Sequence, residues 1–541
     1  MKSVSQLFGG RADVAVTAAA AIVVGLGLSL LLNTKKTKTT EVRRLPPMPR
    51  STLPIIKSLL DAGGNVDRFH DWLLEQSEEF GHRPWMYAIP GRPVTIVLTS
   101  AETIEDALST QEAIFLRGPV GHYMSEDIFH NGMIITDGAP WVYHRRTASQ
   151  LFSTKMMKDV MESTVREKLE VFLDVLDIYY KRGQAFSAKE ELSHFTMDVF
   201  SKIGFGIELD TLKNSPYRER DHEFLEAFDE AAVAYAVRVQ TPMWLWELKR
   251  YFNIGWEKVF RDNTKVMFKF IDDVIISSMK TKAELAAKGE KMPAKDLITL
   301  FMEKSLKQTD DVHIEDDDAT IMRDMVMTFI FAGKDSSAQS MTWFIVNMNR
   351  YPEVLRKIRE EMKEKLPGLL TGEIKVPTHE QIRDLVYLEA AVKENTRLFP
   401  STGFIAREAM EDTTLVDGTF VAKGQTIMVS SYCNARNKNT WGEDAAEFKP
   451  ERMIDPDTGK LRLVSPAKFS SFGMGPHVCI GQKFAMLEMK LAIATLFSKF
   501  DIKTVEDPFE LTYEFSLTIP VKGQLNIQVT PLEPLTLADI A

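Results

Sequence analysis

Residues 469–485 read FSSFGMGPHVCIGQKFA: three glycines and a proline surround Cys479 just ahead of an apolar, helix-like run. An unpaired cysteine most often packs as a small inert hydrophobe, and that role needs no permissive loop. The backbone freedom gathered here raises the question of what the Cys479 sulfur is presented to.

Composition narrows the answers. The chain has 541 residues, 44% hydrophobic and 26% charged, enough to bury a large core, which excludes a disordered tail or a fibrous repeat. Its net charge of −10 excludes nucleic acid as the main partner, because phosphate binding draws on a surplus of clustered Lys and Arg. Cys433 and Cys479 are the only cysteines and allow at most one internal disulfide, so a reduced, cytosol-facing fold is expected.

From Val14 to Leu32 the run VAVTAAAAIVVGLGLSLLL holds nineteen uncharged residues. At about 1.5 Å per residue it matches the thickness of a hydrocarbon core, so a single transmembrane helix is expected, with a cleaved signal peptide or a buried helix as the alternatives. Lys35, Lys36, Lys38, Arg43 and Arg44 outnumber Lys2 and Arg11 on the other flank, which assigns the bulk of the chain to the cytosolic side. Residues 1–44 read as a membrane anchor with its basic flank, and residues 45–541 as one domain entered through the stiff spacer LPPMPR.

Past the spacer, helical periodicity dominates without internal repeats and predicts a mainly α domain with small β-sheets. Strand signals are short: RPVTIVLTS at 92–100, TFVAKGQTIMVS at 419–430, and LTIPVKGQLNIQV at 517–529, the last read as a hairpin turning at Lys522 and Gly523. Residues Met279 to Asp318, with the acidic run EDDD, read as an exposed connection. A helix is predicted from Thr320 to Arg350, about 46 Å long if unbroken. Its apolar first half implies burial, yet Gly333, Lys334, Asp335, Ser336 and Ser337 interrupt it, and Gly and Ser in a helix interior favour a local bulge.

Three constellations add chemistry. Glu394 and Arg397 stand at i, i+3 in an apolar helical context, so carboxylate and guanidinium share a face. Arg452, in EFKPERM about 27 residues before Cys479, offers Glu394 a second guanidinium. In APWVYHRRTASQLF, Trp141 and Arg145 lie one helical turn apart with Arg146 adjacent, a donor pair suited to a carboxylate ligand.

In this order along the chain, the segments resemble the cytochrome P-450 family of haem-thiolate monooxygenases, over nearly everything from Leu45 onward. Phe472, Gly475, His477, Cys479 and Gly481 match F-x-x-G-x-[R/H]-x-C-x-G; Ala332 to Ser337 match AGxD with two hydroxyl residues; Glu394 to Arg397 match E-x-x-R; Pro450 to Arg452 match P-E-R. The resemblance implies the cytochrome P-450 fold, mainly α with small β-sheets, preceded by the single N-terminal transmembrane helix, with residues 45–541 as the catalytic domain and haem b as cofactor. Cys479 is implied to be the axial metal ligand, a thiolate that pushes electron density onto iron and favours O–O cleavage. Gly475 and Gly481 then permit close approach, Phe472 shields the sulfur, and the helix beginning near Gln482 points its positive end at the thiolate. His477, Trp141, Arg145 and Arg407 are implied to bind the haem propionates, Glu394, Arg397 and Arg452 to form a structural network, and Asp335 with Ser336 to form a catalytic proton relay. This chain departs from most relatives in carrying His477 for Arg and Ser336 for Thr.

The stretches WELKRYFNIGWE (246–257), FTMDVFSKIGFG (195–206) and WGEDAAEFKPER (441–452), with Lys334, resemble the microsomal fatty-acid and alkane hydroxylases. They imply hydroxylation of an aliphatic substrate at or near its end; a sterol, terpenoid or xenobiotic is the alternative. A peroxygenase, an isomerase or a noncatalytic haem-binding protein would not need the Asp335 and Ser336 relay. No flavin domain follows, so electrons are expected from NADPH through a separate reductase, with cytochrome b5 as a further donor, docking near Arg146, Lys468 and Lys483. The expected setting is the endoplasmic reticulum membrane, crossed once, with a hydrophobic small molecule as substrate.

Overall fold

The computed structural model describes residues 44–288, 296–305 and 318–540. The apolar run Val14–Leu32 and most of the EDDD run lie outside the described residues. Among the described residues, no helix is long and apolar enough to cross a membrane.

Helices carry most of the chain. Those that build the site are α1 (Gly118–Phe129), α2 (Gly138–Ala148), α3 (Ala188–Phe205), α4 (Glu223–Gln240), α5 (Trp256–Ala287), α6 (Leu297–Ser305), α7 (Asp318–Ile330), α8 (Ser336–Arg350), α9 (Val386–Leu398) and α10 (Gln482–Lys499). Helix α3 shows how local signals set boundaries: the Ser187 hydroxyl accepts from Glu190 N at the start, and Gly206 takes the left-handed conformation at the end. Helices α7 and α8 are one continuous rod joined by a five-residue π turn, Phe331–Asp335. The bulge predicted from Gly333 and the serines is therefore present, and tertiary contacts hold it. A Cβ at Gly333 would lie 2.4 Å from the Phe200 ring of α3. Thr196 Oγ1, also on α3, donates to the Lys334 carbonyl at 2.6 Å, satisfying backbone in the widened turn. Asn395 of α9 donates to Ser340 O at 2.9 Å and accepts from Asn347 at 2.9 Å, so α9 is bonded to α8 through buried amides.

The strands are β1 (Trp85–Tyr87), β2 (Thr95–Leu98), β3 (Phe115–Leu116), β4 (Phe186–Ser187), β5 (Phe404–Ala409), β6 (Thr413–Thr414), β7 (Phe420–Val421), β8 (Thr426–Ser430), β9 (Phe500–Thr504) and β10 (Asn526–Pro531). They form a five-stranded sheet in the order β1-β2-β8-β5-β3, a three-stranded sheet β4-β10-β9 and the pair β6-β7. In the larger sheet β2 and β8 run parallel, and Arg407 of β5 pairs with Ile427 of β8. Ile96, Leu98, Phe115, Ile427 and Val429 make a small core under this sheet, and Met474 of the cysteine loop packs into it. The main core lies among the helices.

Two expectations are corrected. The connection Met279–Asp318 is not an open linker throughout: α5 continues to Ala287 and α6 occupies Leu297–Ser305. Buried Asp296 accounts for part of this, accepting from Thr299 N at 2.8 Å and pairing with Lys282 of α5 at 2.7 Å. The predicted hairpin over 517–529 does not turn at Lys522 and Gly523. Glu514 N donates to Pro520 O and Lys522 N to Thr512 O, so the reversal comes earlier, while β10 pairs with β9 and β4. Two flanking partners satisfy more of the β10 backbone than one short hairpin partner would.

Candidate active site

Gly475 shapes the cysteine loop. Its φ is +65°, and a Cβ there would sit 2.1 Å from Leu108 O, so the conformation and the space both demand glycine. Gly481 differs: with φ −87°, its Cβ would meet Cys479 Sγ at 4.0 Å, an ordinary contact, so the expected steric need for glycine is absent from the chain's own packing. Cys479 N donates to Phe472 O at 2.8 Å, and α10 starts three residues later at Gln482. Burial pushes the Cys479 thiol up, while the N–H of Gly481, the Arg145 guanidinium and the N–H of Gln482 pull it down. Cys479 is nevertheless exposed, so its sulfur is ringed by protein yet opens on accessible space. Cys433 is the contrast: it is fully buried, and burial pushes its thiol up to about 12.

Beside the loop, cations converge. The rings of Trp141 and His477 lie 4.1 Å apart, and Arg145 follows Trp141 by one turn of α2. Arg407 comes from β5, is 4% exposed, and donates to the adjacent Ala406 O. Arg117, the residue before α1, joins them; a lone arginine in IFLRGP carries no sequence signal, and only the fold brings it here. Its buried Nε has no partner. Among the described residues, none of Arg117, Arg145 and Arg407 forms an ion pair with a carboxylate. Burial holds Arg117 down to about 10, with Asp137 opposing, and burial together with Arg117 holds Arg407 well below its ordinary value. His477 is pushed down to about 3 by burial and then by Arg407, Arg117 and Arg145, so at neutral pH it is an uncharged donor, 3.5 Å from Glu112. Such a set accepts a ligand with more than one carboxylate. Arg146, by contrast, is exposed, as are Lys468 and Lys483.

The central helix also has an accessible face. Ala332 is exposed and Ser336 partly so, one turn apart in an otherwise buried rod, and Ser336 Oγ donates to Ala332 O at 2.6 Å. Asp335 is 5% exposed and accepts from Gln339 Nε2 at 3.2 Å and from the Thr518 hydroxyl. Asp335 and Ser336 thus have separate hydrogen-bond partners. Glu488 of α10 is a buried acid that sequence reading missed: burial raises it to about 8, with Ser337 opposing, so it holds its proton at neutral pH.

Glu394, Arg397 and Arg452 come together away from open space. Arg397 grips Glu394 through two 2.8 Å bonds and gives its other N–H groups to the carbonyls of Ala435, Ala445 and Glu447. Arg452 Nε reaches Glu394 at 3.3 Å, and its remaining nitrogens meet Trp441 O and Asp444.

The Cytochrome P450 family model matches residues 46–527. Cytochrome P450 CYP94D108 of Paris polyphylla is 28% identical over 495 residues, 90% of this chain and 93% of its own length. Cytochrome P450 704C1 of Pinus taeda is 27% identical over 490 residues, 88% and 92% of the two chains. Cytochrome P450 94C1 of Arabidopsis thaliana is 30% identical over 441 residues, 80% and 84%.

Proposed function

The chain belongs to the cytochrome P450 family and is a haem-binding monooxygenase supplied with electrons by a redox partner; from this premise we propose that it hydroxylates a long-chain fatty acid or similar aliphatic at or near the terminal carbon. The cofactor is haem b, and the electrons come from NADPH through a separate reductase docking at exposed Arg146, Lys468 and Lys483. The chain works from the endoplasmic reticulum membrane, held there by residues 1–44. The aliphatic substrate class is supported by the likeness of residues 195–206, 246–257 and 441–452 to fatty-acid and alkane hydroxylases.

The residues present fit haem. The observation that carries this is the cluster of Arg117, Arg145 and Arg407, none of them ion-paired with a carboxylate among the described residues, set beside a sulfur that opens on accessible space. In this reading Cys479 is the metal ligand, and Arg145 with the N–H groups of Gly481 and Gln482 partly offsets the burial that otherwise favours its thiol form. His477, Trp141, Arg145, Arg407 and Arg117 hold the two propionates, and Phe472 shields the sulfur. Bound there, haem supplies the activation of dioxygen. Ser336 Oγ, at the open face of the central helix, and Asp335 are read as the residues of the proton relay, each held by its own hydrogen-bond partners. General-acid transfer of this kind contributes about 10² to 10⁴-fold in rate.

Incubation with reductase, NADPH and lauric to oleic acids is expected to yield hydroxy acids; turnover confined to sterols or aromatic drugs would refute the substrate class. Ser336→Ala is expected to keep the substrate-induced spectral shift while losing much of its NADPH to peroxide. Undiminished product per NADPH in that variant would remove Ser336 from the relay.

A further inference from the structure

Asp335 is 5% exposed, so a proton reaches it through a neighbouring group. Among the described residues, three side chains stand at its carboxylate. Gln339 Nε2 donates to Oδ1 at 3.2 Å, Lys334 Nζ lies 3.7 Å from Oδ1, and the Thr518 hydroxyl donates to Oδ2. They differ in what each can do with a proton. The Gln339 amide donates a hydrogen bond and keeps its hydrogen. Lys334 is 1% exposed and makes its shorter contact with Asp229 of α4, at 2.9 Å. Burial works against its ammonium, but Asp229 and Asp335 more than offset that, so Lys334 stays charged and shut off from water. Of the three, only the hydroxyl can accept on one side while it donates on the other.

Thr518 is also the member nearest to water. It is partly exposed, in the bend 516–518 at the tip of a short hairpin whose base pairs Tyr513 with Val521. The tip is pinned against the central helix: Trp343 Nε1 of α8 donates to Ile519 O at 2.8 Å, and Ile519 N donates to Ser401 O at 2.9 Å. A branched Cβ restricts χ1 of Thr518 as well. The hydroxyl is therefore aimed at Asp335 by the fold itself, across 183 residues of sequence.

We propose that Thr518 is the outer member of the proton relay, loading Asp335 from water at the hairpin tip. This rests on the reading of Asp335 as a relay residue. In one concerted step the Thr518 O–H bond breaks as an O–H bond forms on Asp335 Oδ2, and a proton from water restores the hydroxyl. The carboxylate becomes the neutral acid, one positive charge moves inward, and no electrons are exchanged.

The test separates passing a proton from holding a carboxylate. Thr518→Val keeps the side chain's shape and removes the hydroxyl. With a substrate that the parent enzyme hydroxylates, it is expected to lower product per NADPH roughly tenfold, short of the 10² to 10⁴-fold of a whole general acid because water can stand in. It is also expected to raise the solvent deuterium isotope effect on product formation. Thr518→Ser is expected to keep both quantities near the parent. A loss of product with an unchanged isotope effect means that the hydroxyl only holds Asp335, and that result would overturn the proposal. So would undiminished product per NADPH in Thr518→Val, or Thr518→Ser as poor as Thr518→Val. A crystal structure of Thr518→Val supplies a readout apart from turnover: Asp335 should remain on Gln339, and a carboxylate swung off it would equally overturn the proposal. The underlying reading fails separately, through Asp335→Asn with full product per NADPH. Where Asp335→Asn does lose product, adding Thr518→Val should cost nothing more, because the two act in series; losses that multiply would place Thr518 outside the relay.

Discussion

The guanidinium groups around Glu394 and those around Cys479 differ in whether the chain completes them. Around Glu394, each N–H of Arg397 finds a carboxylate or a carbonyl, and Arg452 closes the other side. Around Cys479, Arg117, Arg145 and Arg407 converge without an ion-paired carboxylate among the described residues, and Arg117 Nε has no hydrogen-bond partner among them. A complete network spends its interactions on the fold. An incomplete one spends stability on a site, because guanidiniums held out of water without anions are costly until a ligand brings the charge.

The strongest way to break this contrast is at the sulfur. Cys479→Ser should abolish the red-shifted ferrous-carbonyl absorption band entirely, whereas Cys433→Ser should retain it, since Cys433 is fully buried and its thiol is pushed up to about 12. The reverse pattern would overturn the assignment of the site. Next in size, Glu394→Ala strands Arg397, which is 1% exposed, and should cost about 3 to 5 kcal/mol in denaturant unfolding, with little haem retained. A near-neutral change would mean that the surrounding carbonyls alone suffice.

The incomplete cluster predicts a reversal of sign. Arg407→Met should stabilise the haem-free protein by roughly 1 kcal/mol or more, because it removes a buried cation that has no direct ion pair and lies near Arg117. The same change should weaken haem retention about tenfold, the loss of one charge-assisted bond. If Arg407→Met destabilised the haem-free form, the cluster would belong with the Glu394 network after all.

The smallest expected effect is on pH dependence. Folded His477 titrates at about 3 against 6.5 when unfolded, so as pH falls from 6.5 toward 3 the unfolded chain takes up a proton that the folded chain refuses, and stability falls. His477→Gln should flatten that limb of the thermal midpoint in the haem-free protein, leaving the similar contribution of buried His70. An unchanged slope would show that His477 is already charged.

What could be read from the chain was governed by short range. The i, i+3 spacing of Glu394 and Arg397, the one-turn spacing of Trp141 and Arg145, and the glycines around Cys479 are set by helix pitch and backbone sterics, which act between near neighbours. The π turn was legible for the same reason, because Gly333 and the serines weaken a helix locally. The strand β10 was misplaced because its partners, β9 and β4, are chosen by long-range pairing.

By itself, then, the sequence determined the mainly helical class, the cysteine loop and the family's motifs, since each is encoded in residues a few positions apart. Tertiary structure alone decided that Arg117 joins Arg407 and Arg145, that His477 is neutral among them, and that Lys334 lies between Asp229 and Asp335. Those outcomes depend on burial and on charges more than a hundred residues apart, such as Lys334 and Asp229, and no local pattern carries them.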